Sequence, residues 1–417
     1  MVERRLLLAG AAVVVLGACS SKDSPAAPVV DADAGANADA GATDGEAGGY
    51  PADHGDLPMI VSAGGAVMKA PKLVPVFFAN DAMQTELTDF VTRLGATDFW
   101  KANVAEYGVG AATAKAPIVL TEPPPLGIDD AGIEMWLSAK ISSGVSGFAT
   151  PEADTLFVLY YPADTTITTA GGATSCDGFG GYHKSVVANL KNVAYAVIPR
   201  CATLSGLTGI DVITAGTSHE VIEAALNPFP KAAPAYDSVD APHIVWTVFG
   251  VESGDLCAPM TSSFYKPDGF DFTVQRSWSN QQAAAGHNPC APQLPGEVYF
   301  NSSPVFPDNV TYSNSRGTTP TRGVRVAPFH SVTIDLLLFS DGPTSGPWTI
   351  GARDVNSLLS GTLPVLSFAL DQKTGKNGDT RKLTITSTAA APNGIAPFVV
   401  ISTLGKQTSL WMGLVQN

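Results

Sequence analysis

Over its first half the chain alternates short apolar runs with stretches of helical spacing. Leu73 to Phe78 is an apolar run of strand length. Met83, Leu87, Phe90, Val91 and Leu94 then recur every three or four positions, which predicts a helix. After the Pro123-Pro124-Pro125 break, Asp129 is placed to cap a second helix whose apolar stripe is Ile133, Trp136, Leu137 and Ile141. Thr155 to Tyr161 and Val193 to Ile198 predict buried strands. A third helix follows, opened by Thr208-Gly209-Ile210-Asp211 as a capping box and stopped at Asn227-Pro228. The mixture predicts an α+β domain over residues 58–300, with the third helix packed on a sheet.

Beyond residue 300 the period changes from helical to two. Val332, Ile334 and Leu336 alternate with Ser331, Thr333 and Asp335, and Leu383 and Ile385 alternate with Lys382, Thr384 and Thr386. With turns at Asp341-Gly342 and Asn377-Gly378, this predicts a C-terminal antiparallel β-sandwich over residues 301–417. Pro304 to Arg322, rich in Pro, Ser, Thr and Asn, is expected to be the linker.

The amino terminus changes the picture of where the chain works. Arg4 and Arg5, the apolar run Leu6 to Leu16 and the lipobox Leu16-Gly17-Ala18-Cys19 form a lipoprotein signal peptide over residues 1–18. Lipidation of Cys19 would attach the protein to a membrane through the anchor alone. With Ser20 and Ser21 following, an outer-membrane lipoprotein facing the periplasm or the cell surface is expected. Residues 19–57, rich in Ala, Gly and Asp, are expected to be a flexible acidic tether. The formal net charge of −14 excludes nucleic acid as a partner.

Export also bears on the cysteines. Setting Cys19 aside leaves Cys176, Cys201, Cys257 and Cys290, which allow three disulfide connectivities. Local pairing, Cys176 with Cys201 and Cys257 with Cys290, is favoured because each bond closes a local loop. No C-x-x-C spacing occurs, which argues against cysteine ligation of a metal.

The third helix carries the chemistry. In Thr217-Ser218-His219-Glu220-Val221-Ile222-Glu223, His219 and Glu223 stand at i and i+4, one turn apart on one face, where both reach a single metal ion. Glu220 beside the ligating histidine stands where a general base activates water. The carboxylate at the fifth position, in place of a second histidine, hardens the donor set. Zinc is expected, and manganese or calcium becomes less remote. Tyr236 and Trp246, between helix and acidic loop, are candidates to line a substrate cleft.

Four segments occur in a distinctive order: Cys176 to Gly181-Tyr182-His183, the Ser218-His219-Glu220 helix ending at Asn227-Pro228, Glu252-Ser253-Gly254-Asp255-Leu256-Cys257, and Trp278-Ser279-Asn280. In this order they resemble secreted bacterial proteins related to the plant phosphate-induced, or Exordium, family, over roughly residues 70–290. That resemblance implies a zincin-like fold for residues 58–300, with His219 and Glu223 as metal ligands and Glu220 as base. It implies Glu252 or Asp255 as the further ligand and places His183 near the metal. A surface-anchored metal-dependent peptidase acting on peptide or protein substrates in the envelope or outside the cell is therefore expected. The alternative is a non-catalytic envelope binding or adhesion protein that keeps a structural metal site.

Overall fold

The computed structural model describes residues 49–148, 151–314 and 316–417. The signal peptide, Cys19 and the greater part of the tether lie outside the described residues. Residues 49–57, expected to belong to the tether, are packed into the body: His54 stacks on Phe339, the Gly55 amide donates to Ser303 Oγ, and Leu57 is buried.

Strand β1 (Lys72–Phe77), helix α1 (Gln84–Leu94), helix α2 (Asp130–Ser142), strands β2 (Thr155–Tyr161), β3 (Tyr182–Ala188) and β4 (Lys191–Pro199) and helix α3 (Ile210–Leu226) build the first half. One sheet runs in the order Thr113–Ala114, β1, β2, β4, β3. The β1–β2 and β2–β4 pairs are parallel and β3–β4 is antiparallel. Every residue of β2 is buried, as a strand covered on both faces requires. Its period of two divides the core. Leu73, Phe77, Leu156, Val158 and Tyr160 pack with Val221, Ile222 and Ala225 of α3. Val74, Val76, Phe157, Leu159 and Tyr161 pack with Ile133, Leu137 and Ile141 of α2. Asp129 caps α2 as predicted, accepting from the Gly132 amide.

Helix α3 is enclosed almost all round, with only Ile210, Asp211, Gly216 and His219 not fully buried. Its expected capping box does not form, since Gly209 stands at the cap with no side-chain hydrogen bond there. Asp211 instead accepts from Thr273 Oγ1 and pairs with Lys266.

The second half is a sandwich of β5 (Phe300–Pro304), β6 (Asp308–Asn314), β7 (Gly317–Arg325), β8 (Ser331–Ser340), β9 (Trp348–Asp354), β10 (Leu366–Leu370), β11 (Thr380–Ser387), β12 (Ile395–Leu404) and β13 (Gln407–Gln416). One sheet has the order β5-β8-β11-β10 and the other β6-β7-β13-β12-β9 with Thr374–Gly375 at its edge. Rings cross between them, Phe300 against Trp348 at 5.3 Å and Phe368 against Phe398 at 5.6 Å. The pairing is antiparallel except where Val324 and Arg325 of β7 meet β13 in parallel. The expected linker from Pro304 to Arg322 is not a linker. It forms β6 and β7 at the sheet edge, burying Val310, Tyr312 and Thr321. Pro320 is tolerated because β7 pairs there with β6 alone.

These features correct the expected fold class, an α+β zincin-like domain defined by one helix on a sheet. Among the described residues strand exceeds helix, 37% to 21%, and is dispersed over eight sheets, five of them two-stranded. Short segments such as Thr203–Leu204, Phe264–Tyr265 and Ser277–Trp278 find their backbone partners in these short ladders, and one helix does not set the class. The sandwich also shares a core with the first half, since Trp246 packs against Trp411 of β13 and Arg316 donates to Asp237.

Candidate metal centre

Five side chains from three places converge at the carboxyl half of α3. The helix supplies His219, Glu220 and Glu223; β3 supplies His183 beside Ala196 of β4; the loop after Gly250 supplies Asp255. His183, Glu220 and Glu223 are 8%, 5% and 3% exposed, so the centre sits inside the protein. His219 Nε2 lies 3.2 Å from Glu223 Oε2 and 3.7 Å from Asp255 Oδ1. His183 Nδ1 lies 3.4 Å from Glu220 Oε2 and 3.9 Å from Glu223 Oε2. Two groups therefore offer donor atoms within 4.8 Å of one another: His219, Glu223 and Asp255, and His183, Glu220 and Glu223. Such separations suit a divalent ion bonded at about 2.0 to 2.2 Å to nitrogen and oxygen.

Local hydrogen bonds aim these donors. Glu223 Oε1 accepts from the Gly254 and Asp255 amides at 2.9 and 3.1 Å, which leaves Oε2 facing both imidazoles. Asp255 Oδ2 accepts from the Val251 amide, leaving Oδ1 toward His219. Glycine is required at two close approaches. A Cβ at Gly254 would lie 2.6 Å from His219 Nδ1, and one at Gly181 would lie 2.8 Å from Glu220 Cγ. His219 Nδ1 and His183 Nε2 are buried without a hydrogen-bond partner, so the protein alone leaves the imidazoles incompletely satisfied.

The two acidic residues expected to compete for the third ligand position separate. Asp255 joins His219 and Glu223, while Glu252 belongs to neither group. Glu252 Oε1 lies 3.4 Å from His183 Nε2 and accepts from Asn227 Nδ2 at 2.7 Å. Asn227 thus does more than stop the helix. Its Oδ1 also takes the Ala235 amide, so one buried amide braces the loop against α3.

The expected cleft aromatics are a correction. Trp246 is 2% exposed and packs against Trp278 and Trp411. Tyr236 lies in a strand paired with Ile60–Ser62, its ring against Tyr107. Trp246 serves the core because Trp411 of the sandwich covers it, and Tyr236 is half-buried against Tyr107. Trp278 and Asn280 are structural too: the indole donates to Pro58 O, and the Asn280 amide exchanges two hydrogen bonds with the Ile60 backbone. A pocket of about 50 Å³ that opens onto His219 and Glu220 has Leu204, Leu207, Val212 and Phe264 in its wall.

Charge explains the protonation of the centre. Burial by itself lowers both imidazoles, but Glu252 and Glu220 outweigh it at His183, and Glu223 and Glu220 at His219, so both stand well above their usual value. Burial, reinforced by Glu223, holds Asp255 well above the carboxylate range. Burial raises Glu252 despite the opposing His183. Burial would raise Glu223 also, yet His219 more than offsets it and Glu223 is lowered. A raised folded-state pKa stabilises the protein below the unfolded value and loses that contribution as pH rises through the folded value. The metal-free protein is therefore expected to lose melting temperature as pH rises, from about pH 4, the unfolded carboxylate value, through Asp255 and Glu252, and from about pH 6.5, the unfolded histidine value, through His183 and His219. Bound metal replaces those protons and should flatten the decline. The lowered Glu223 acts in the opposite sense, losing its contribution only in acid. Scanning calorimetry with chelator and with zinc checks this, and a metal-free melting temperature that is flat or rising from neutral to alkaline pH would sink it.

Both disulfides form in the local pairing, Cys176–Cys201 and Cys257–Cys290, as suits a chain that folds outside the reducing cytoplasm. They serve different parts of the site. Cys257 ends the loop bearing Asp255, whereas Cys201 precedes the hairpin whose Leu204 and Leu207 wall the pocket. Replacing Cys257 and Cys290 by Ser should cost about 2 to 5 kcal/mol and weaken metal affinity more than the same change at Cys176 and Cys201. Chelator competition measures it; equal losses from the two pairs would exclude Asp255 from the coordination shell.

No family model and no curated protein matches the chain. Among solved structures it is similar to domains 4 and 5 of the S-layer protein SbsC, at 10% identity over 34% of this chain and 89% of that one, with a TM-score of 0.17. It is similar to the titin M3 domain at 14% identity over 22% and 85%, TM-score 0.16, and to surface layer protein SbsC domains 1–6 at 11% over 60% and 37%, TM-score 0.17. Scores this low carry no argument about fold or function.

Proposed function

We propose that the protein is a metal-dependent hydrolase that cleaves peptide bonds outside the cytoplasm, held at the outer membrane through Cys19. The observation that carries this reading is Glu220, a buried carboxylate beside the His219, Glu223 and Asp255 donors, which lines a pocket together with His219. His219, Glu223 and Asp255 would hold the ion, zinc by preference, with manganese or calcium suited by the oxygen-rich set. A divalent ion there supplies Lewis acidity toward the scissile carbonyl and lowers the pKa of water. Glu220 accepts the proton of the attacking water and returns it to the departing amine. The Gly254 and Asp255 amides hold Glu223 Oε1 and aim the carboxylate, and Leu204, Leu207, Val212 and Phe264 make the pocket beside Glu220 largely apolar. Kinship with the Exordium-related secreted proteins, on the four ordered segments, is part of the same proposal.

A second reading is an envelope binding or adhesion protein with a structural ion, favoured by the small volume of the pocket, about 50 Å³. Elemental analysis of the purified full chain, followed by digestion of a proteome-derived peptide library with and without chelator, separates the two. Stoichiometric metal with chelator-sensitive cleavage supports the hydrolase. Stoichiometric metal with an undigested library establishes the structural ion instead.

A further inference from the structure

The centre has more donors than one ion needs. The two donor groups overlap only at Glu223, and each has its own imidazole. Glu220 turns a different oxygen to each histidine, Oε2 to His183 at 3.4 Å and Oε1 to His219 at 3.8 Å. Glu223 Oε2 is within 3.9 Å of both. Behind His183 stands Glu252, itself held by Asn227. With Glu252 3.4 Å from Nε2 on its far side, the ring presents Nδ1 toward Glu220 and Glu223. The four carboxyl groups of Glu220, Glu223, Glu252 and Asp255 crowd a largely buried space with two imidazoles, and bound cations relieve the repulsion among the carboxylates.

We infer that His183, Glu220 and Glu223 form a second, inhibitory divalent-cation site, whose occupation takes from Glu220 the lone pair that accepts the water's proton. The inhibition rests on the hydrolase reading above; the second site does not. Sharing Glu223 with an ion already bound makes the second ion the weaker, because like charges at such separations repel. The sites therefore fill in order, first His219 with Asp255 and then His183, and activity rises with the first ion and falls with the second.

The test uses the full chain stripped by chelator and dialysed against increasing Zn²⁺, with bound zinc counted by elemental analysis. Wild type should bind two ions per chain, and His183→Gln and Glu220→Gln one each. On a cleaved library peptide, wild-type hydrolysis should peak near one equivalent and fall by about 10²-fold as the second site fills, the scale of lost general-base catalysis. The falling limb should be missing in His183→Gln. Saturation of wild type at one ion, or two ions retained by both variants, overturns the second site. Were His183→Gln to misfold, the Glu220→Gln count would decide the same point. Two bound ions with no fall in hydrolysis overturns the inhibition. Two bound ions in a chain that cleaves nothing refutes the hydrolase reading and confirms the second site.

Discussion

Replacing Glu223 by Ala should strip the metal and destabilise the protein more than any other single change at the centre. The side chain serves four partners at once. Its Oε1 takes two loop amides, and its Oε2 faces both imidazoles. Truncation leaves two buried donors unpaired and removes the anion that the cationic side of the centre compensates. Breaking such a buried arrangement costs about 3 to 5 kcal/mol, and the stabilisation from metal binding is lost in addition. His219→Ala should lose metal as well, with a smaller effect on folding, because its Nδ1 holds no hydrogen bond. Elemental analysis and thermal unfolding measure both quantities. Full metal content in Glu223→Ala would remove Glu223 from the ligand set.

Glu220→Gln should produce the largest loss of activity with the least loss of structure. The amide preserves volume and hydrogen bonding in a position that is 5% exposed, so folding and the ion at His219 and Asp255 should persist. Gln cannot accept the water's proton, and hydrolysis should fall by about 10² to 10⁴-fold, the contribution of a positioned general base. Steady-state kinetics on a cleaved library peptide, with metal content measured on the same sample, checks it. Activity within a few-fold of wild type would assign the base to another residue.

Legibility differed from one part of the site to another. Two members of the helix were readable because a helix fixes its own geometry: four residues make one turn, and His219 and Glu223 share a face whatever surrounds them. His183 was only a match to a motif, for a strand residue has no fixed distance to a helix later in the chain until the sheet exists. Gly254 and Gly181 were missed as site residues. The signal for Gly254 was present, a glycine between two acids, but its reason is a close approach to His219 that no local pattern encodes. Asn227 was legible as a helix stop, not as the brace of Glu252.

The sequence alone determined the strands near Leu73 to Phe78, Thr155 to Tyr161 and Val193 to Ile198, the helices that carry Leu87, Ile133 and His219, the period-two sandwich and the local disulfides. Each of these rests on a repeat or contact short in sequence, where backbone geometry is enough. Tertiary structure alone decided that Asp255 and not Glu252 joins His219 and Glu223, that His183 completes a second donor group, and that Trp246 is core and not cleft. It also decided that β6 and β7 are strands where composition reads as linker, and that strand outweighs helix in the fold. Those outcomes depend on which surfaces the sandwich covers and how one loop is pinned against one helix. Long-range packing sets them, and spacing along the chain does not contain it.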